Sequence, residues 1–224
     1  MIEPFINLLN TKGYDLKNRV ILDIGSRDCI QSLEFNLHCP NSTIIAFECN
    51  KLTLDKCRSN IAGFSNIILI DKAVNVYNGH CTFFPIDPQR TITTWEDGNP
   101  GASSLFKATG KYPVETYVQN EEQVECTRID TIITQNNIHK VDLVWMDLQG
   151  AEKLAIESFG KFIHNVDYIH TEVSFQEMYH GQVLYDEFNE LMLSYNFVPV
   201  NRVHKQGWQT DIIYMNKKLQ KCIL

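Results

Sequence analysis

Asp23-Ile24-Gly25-Ser26-Arg27-Asp28-Cys29 follows the apolar run Val20-Ile21-Leu22 and leads into Ile30, Leu33 and Leu37, and this stretch decides the fold. The apolar run reads as a strand and the glycine segment as a tight turn, while the spacing of Ile30, Leu33 and Leu37 predicts one face of a helix. At such a junction Gly25 lets backbone approach a ligand, and the free N–H groups that open the helix favour an anionic or polar guest. A second acid, Glu48, ends the next apolar run, Thr43 to Phe47, where a carboxylate reaches ribose hydroxyls in a nucleotide-binding α/β sheet. The opening third therefore reads as half of a nucleotide-cofactor site.

Working outward, Ile2, Phe5, Ile6 and Leu9 have helical spacing that Gly13 stops, so residues 1–17 are expected to form a short helical segment over one end of the sheet. Leu54, Cys57 and Ile61 mark the inward face of a second helix after the Thr43–Phe47 strand. Ile67-Ile68-Leu69-Ile70, ending at Asp71, reads as a third buried strand. Strands alternating with helices argue for a parallel, doubly wound α/β sheet. The rhythm breaks over residues 77–128. There Cys81–Phe84, Val114–Val118 and Val124–Thr127 are expected as short strands between prolines and glycines. Aromatic residues, Trp95, Tyr112 and Tyr117 among them, argue against disorder and for a β-rich lid or substrate wall. The helix of Ile129, Ile132 and Ile133 restores the rhythm. A strand from Val141 to Met146 ends in Asp147, and a helix follows from Gly150 with Ala151, Leu154, Ala155 and Phe159 on one face. A strand from Val166 to Val173 carries His170 and Glu172, the next helix carries Leu184, Phe188, Leu191 and Tyr195, and Phe197–Val200 with Asp211–Met215 form a closing pair.

The net charge of -7 and the scattering of the basic residues speak against a nucleic-acid backbone as partner. Seven cysteines, an odd number, never spaced C-x-x-C and mostly within apolar runs, suit reduced thiols and a cytoplasmic location. No stretch approaches the roughly 18 apolar residues of a membrane span, and no signal-peptide pattern opens the chain. The length of 224 residues suits one domain over 1–224.

Asp23-Ile-Gly-Ser-Arg-Asp-Cys29 with Phe47-Glu48, then Gly101-Ala-Ser-Ser-Leu105, then Met146-Asp-Leu-Gln-Gly-Ala-Glu152 with Thr171-Glu172, in that order, resemble the FkbM family of S-adenosylmethionine-dependent methyltransferases. The resemblance implies a Rossmann-like class I methyltransferase fold, a mostly parallel sheet of seven strands with one antiparallel, and methyl transfer to an oxygen of a sugar or other small molecule. It implies S-adenosylmethionine as cofactor, placed on Asp23, Gly25, Ser26, Glu48 and Asp71 with Ser103 and Ser104 near the mouth. It also sets Cys29 where the motif ends in glycine, near the methionine end of the cofactor, and Gln149 where the family commonly has a carboxylate.

A sugar hydroxyl is a poor nucleophile at neutral pH, so a general base or a divalent cation is expected beside it. Asp147 and Glu172, at the carboxyl ends of neighbouring strands, are the candidates, either as catalytic acids or as ligands of a Mg2+ ion; His180 and His204, in later loops, are further base candidates. Each position also has a structural reading: Gly25 as turn punctuation, Glu48 as a helix-start acid, Asp71 as a turn acid, Glu152 as a helix acid and His170 as a satisfied core histidine. A nicotinamide-dependent oxidoreductase is disfavoured, since G-x-G-x-x-G from Gly25 needs glycines at Arg27 and Ile30. An RNA or protein acceptor, and a non-catalytic scaffold of the same fold, stay open beside the carbohydrate reading.

Overall fold

The computed structural model describes residues 2–203 and 205–222. Strand β1 (Val20–Ile24) lies inside the sheet: Ile21 and Leu22 point to opposite faces and both are fully buried, as in a parallel strand covered by helices on both sides. It pairs in parallel with β2 (Thr43–Phe47) on one side and with β7 (Val141–Met146) on the other. With β3 (Ile67–Ile70), β8 (Val166–Ser174), β9 (Phe197–Pro199) and β10 (Gln209–Asn216) these make a seven-stranded sheet in the order β3-β2-β1-β7-β8-β10-β9. Only β10 runs antiparallel to its neighbours.

Helices α1 (Glu3–Thr11), α2 (Ile30–His38) and α3 (Lys51–Ile61) bury Phe5, Phe35 and Cys57 against one face. Helices α4 (Ile129–Gln135), α5 (Glu152–Ser158) and α6 (Tyr185–Ser194) bury Ile132, Ile156 and Phe188 against the other. Strands β4 (Ala73–Val74), β5 (Gly79–Phe83) and β6 (Glu122–Thr127) form a separate three-stranded sheet, order β4-β6-β5, with its own small core around Phe83 and Val124. Among the described residues no helix is long and apolar enough to cross a membrane.

The structure corrects several expectations. Helix α1 covers the face of the sheet, not its end: Phe5 meets Phe35, Trp145 and His170 with ring centroids 5.7–6.4 Å apart. Helix α2 turns its inward face to Ser32, Phe35 and Cys39, and leaves Ile30 44% and Leu37 78% exposed. The reason is polar: Asp23 is buried in β1, and Ser32 Oγ donates to its Oδ2 at 2.5 Å, so a serine takes the inner position that an apolar periodicity assigns elsewhere. Strand β3 lies at the sheet edge, with Ile68 36% exposed. Val114–Val118 forms no strand, only isolated bridges such as Ile92 with Thr116.

Candidate active site

The turn after β1 is shaped by one close approach. Gly25 has φ +83°, and a Cβ there would stand 2.0 Å from the carbonyl oxygen of Asp147 on the neighbouring strand end. The N–H groups of Gly25 and Ser26 both donate to the Phe47 carbonyl at 3.0 Å, which ties the turn to the end of β2. The Arg27 N–H, at φ +52°, donates to Glu48 Oε2 at 2.8 Å, and the Asn50 N–H donates to Glu48 Oε1 at 2.6 Å. Asn50 caps α3 and donates through its side chain to Ser103 Oγ at 3.0 Å. These groups border a cavity walled on its apolar side by Val74, Phe83, Leu105 and Leu148.

Of the cofactor residues expected from sequence, Gly25, Glu48, Ser103 and Ser104 line this cavity. The two serine hydroxyls are engaged in holding the 77–128 segment: Ser103 donates to Pro100 O at 2.7 Å and Ser104 to Gln149 O at 2.8 Å. Asp23 and Ser26 are fully buried beneath the turn and do not line it. Asp71 is brought elsewhere: it stands at the surface, ion-paired with Arg58 at 3.3 Å, because the strand it follows is an edge. Cys29 takes a left-handed φ of +62°, as a glycine would, but its side chain is fully buried in the core with Cys57 and not beside the cavity.

A second, larger cavity adjoins the first, and the two share Gly25, Arg27, Gly101 and Asp147. Neighbouring strands β7 and β8 bring Asp147 and Glu172 into its wall. Each carboxylate is held by one amide: Gln149 Nε2 donates to Asp147 Oδ1 at 2.7 Å, and Gln209 Nε2 donates to Glu172 Oε2 at 2.5 Å. Asp147 opens onto the cavity yet is enclosed by protein on its other sides, and this enclosure raises its pKa. Burial, with Asp147, Glu152 and Asp211 close by, holds the Glu172 carboxyl well above the usual range. Glu152 is a staple for the 147–152 turn, accepting from the Leu148 and Gly150 N–H groups at 2.9 and 3.2 Å.

The 77–128 segment supplies the opposite wall. Tyr112 and Tyr117 stack with centroids 5.3 Å apart. Arg27 binds Asp97 at 2.5 Å and lies 4.8 Å over the Trp95 ring, and Tyr179 Oη donates to Ala102 O at 2.8 Å and contacts Gln149 Oε1 at 3.1 Å. The floor is Trp145, stacked at 3.7 Å on His170. His170 is no satisfied core histidine: its Nδ1 is buried without a partner among the described residues, and burial pushes its pKa down to about 3, so it is neutral.

His180 sits on an exposed turn, anchored through its N–H to Lys107 O at 2.8 Å, and lines neither cavity. His204 lies outside the described residues. No group of three or more His, Cys, Asp or Glu among the described residues is placed to hold a metal, so Asp147 and Glu172 stand as an acid pair with amide partners and the Mg2+ role is not carried further. Sequence reasoning missed Gln209, Tyr179 and Arg27, which carry no periodic or strand-end signal; Gln149 was visible only as a departure from a motif.

These buried acids set a pH dependence. Burial pushes Asp23 up to about 6 and Glu48 and Glu152 up to about 7, against the pull of the hydrogen bonds they accept. An acid with a raised folded pKa binds more protons folded than unfolded, so its contribution is full below the unfolded value near 4 and is lost as pH rises through 6 to 7. Asp142, whose pKa is lowered, acts in the opposite sense below about 4, and His170, lowered to about 3, opposes the trend up to its unfolded value near 6.5, one group against three. The thermal midpoint of the ligand-free protein is expected to fall between about pH 4.5 and 7.5; a scan in which it rises across that window refutes the assignment.

The family described as the methyltransferase FkbM domain matches residues 23–199. The 2-O-methyltransferase NoeI of Sinorhizobium fredii is 27% identical over 202 residues, covering 89% of this chain and 80% of that protein. Among solved structures, Aeropyrum pernix fibrillarin with natively bound S-adenosyl-L-methionine is 11% identical with a TM-score of 0.52, covering 95% of this chain and 74% of that one. The Methanococcus jannaschii fibrillarin pre-rRNA processing protein is 13% identical with a TM-score of 0.51, covering 90% and 68%. At such identities the two structural likenesses are of fold alone.

Proposed function

The chain belongs to the FkbM methyltransferase family and has the class I methyltransferase fold, and from that premise we propose that it transfers a methyl group from S-adenosylmethionine to a hydroxyl of a carbohydrate or similar small molecule. The observation that carries this reading is the pair of cavities meeting at Gly25 and Asp147. The smaller suits a nucleoside: apolar walls for a base and the Glu48 carboxylate for ribose hydroxyls. The larger suits a polyol: amides and carboxylates for hydroxyls, and aromatic faces for the apolar side of a sugar ring.

When bound, the cofactor supplies an activated methyl on a sulfonium. The protein has then to align an acceptor oxygen and take its proton. Glu48, Asn50 and Ser103 would hold the cofactor, Asp147 would stand at the junction, and Glu172 would receive the proton in the larger cavity. Acids outnumber bases in that cavity, where Asp28, Glu115, Asp147 and Glu172 face Arg27, itself paired with Asp97. This favours an uncharged acceptor over the phosphates of RNA. The relative's name, a 2-O-methyltransferase, supports oxygen as the acceptor atom.

Calorimetric titration with S-adenosylhomocysteine, with NAD in parallel, tests the cofactor. A ligand at 100 times its Kd adds about 2.7 kcal/mol to stability, so a thermal shift should accompany binding. Binding of neither would bring the scaffold reading forward; binding of the homocysteine product alone justifies screening sugar acceptors by mass. Glu48→Ala is expected to weaken that binding at least about tenfold, since charged hydrogen bonds contribute about 1.5–3 kcal/mol; an unchanged Kd would remove Glu48 from the ribose site.

A further inference from the structure

The register of β8 on β10 sets Glu172 directly opposite Asp211. Direct partners in an antiparallel ladder point to the same face with Cβ atoms roughly 4.5–5.5 Å apart, and like charges there are destabilising. Among the described residues no lysine or arginine forms an ion pair with either acid, though the N-terminal charge acts on Asp211 in the lowering sense. The pair's neighbours are Asp147 at the end of β7, Glu152 on α5, Tyr179 after β8, Tyr112 of the 77–128 segment, and on the strand of Glu172 the neutral His170, whose Nε2 is 3.8 Å from Asp211 Oδ1. Among the described residues Gln209 alone donates to Glu172. The other end of the sheet is built differently: buried Asp142 and Asp167 have Lys140 at 2.8 and 2.5 Å, and Asp142 has Arg19 at 3.2 Å besides. The acids at that end form ion pairs with lysine and arginine, and Glu172 forms none among the described residues.

We propose that Glu172 and Asp211 form a carboxylate dyad holding one proton between them, in which Asp211 is a positioning residue that keeps Glu172 poised as the base for the acceptor hydroxyl. This rests on the methyltransferase reading for its chemistry. The acceptor oxygen gains the methyl carbon, the carbon–sulfur bond breaks with its electron pair on sulfur, and the hydroxyl proton passes to Glu172 and then to water. Gln209 fixes which oxygen of Glu172 faces the cavity without adding charge. Asp211, with its side chain 67% exposed, keeps contact with solvent, by which the proton leaves.

The test is a carboxyl NMR titration of protein labelled with 13C at Asp and Glu side chains, in the wild type, Glu172→Gln (to identify the signal) and Asp211→Asn. The Glu172 signal is expected to titrate well above the ordinary value near 4.3, and Asp211→Asn to lower its midpoint by about half a unit or more. A wild-type midpoint near 4.3, or one that Asp211→Asn leaves in place, overturns the dyad. Asp211→Ser gives the same comparison should Asp211→Asn not fold. S-adenosylhomocysteine calorimetry on the same samples separates the two claims: absence of binding in the wild type defeats the methyltransferase reading, while the midpoints still decide the dyad.

Discussion

Gly25→Ala is expected to abolish S-adenosylhomocysteine binding and to lower the stability of the fold by about 2–5 kcal/mol. Two costs add. An alanine at φ +83° carries the left-handed penalty of roughly 1–2 kcal/mol. Its Cβ also falls 2.0 Å from the Asp147 carbonyl oxygen, which cannot simply withdraw, because the Asp147 N–H is bonded to Ile24 O at 3.1 Å; overpacking of this kind costs about 1–3 kcal/mol. Against a total stability of roughly 5–15 kcal/mol this is a large fraction. Displacing Asp147 disturbs both cavities at their junction, so binding is lost with stability. Urea unfolding and calorimetry measure the two effects; a variant with the parent midpoint and the parent Kd would show that the turn yields and that Gly25 is mere punctuation.

Asp147→Asn combined with Glu172→Gln is expected to reduce turnover by about 10³-fold or more, with S-adenosylhomocysteine affinity close to the parent's. Both replacements keep shape and can still accept from Gln149 and Gln209, so the fold is spared. What disappears is the capacity to take a proton, and loss of a positioned base typically costs 10²–10⁴-fold. The measurement is single-turnover methyl transfer to an acceptor found by screening, with calorimetry alongside. Turnover that survives would make the strand-end acids structural.

The parallel sheet was legible because its strands are apolar runs and several end at an acid or a glycine: β1 before Gly25, β2 before Glu48, β7 before Asp147. The face of α2 was not, since periodicity counts apolar residues and has no means of knowing that Asp23 requires Ser32 as a donor. The irregular wall at Val114–Val118 escaped for a similar reason: β-branched and aromatic residues look alike in a strand and in an extended segment with isolated bridges. Within the site, Glu48, Asp147 and Glu172 were visible as strand-end carboxylates. Asp71 has the same local signature and goes to the surface, because it follows an edge strand, a fact of sheet order that local sequence does not carry. Gln209 and Asp211 come to Glu172 only through the register of β10, and an antiparallel register is fixed by the whole closing pair.

The place of β1 between β2 and β7 bears on how the chain is made. Ile21 needs Ile44 on one side and Leu143 on the other. At a synthesis rate of about 5–20 residues per second, the strand emerges roughly 6–25 s before its second neighbour exists. Throughout that interval one edge of this future interior strand stands open on the ribosome, apolar and ready to pair with whatever strand arrives. Refolding from denaturant faces the same long closure, which slows the search and favours intermolecular pairing as concentration rises. Yield on expression should therefore depend on temperature and on holding chaperones more than the stability of the finished protein would suggest.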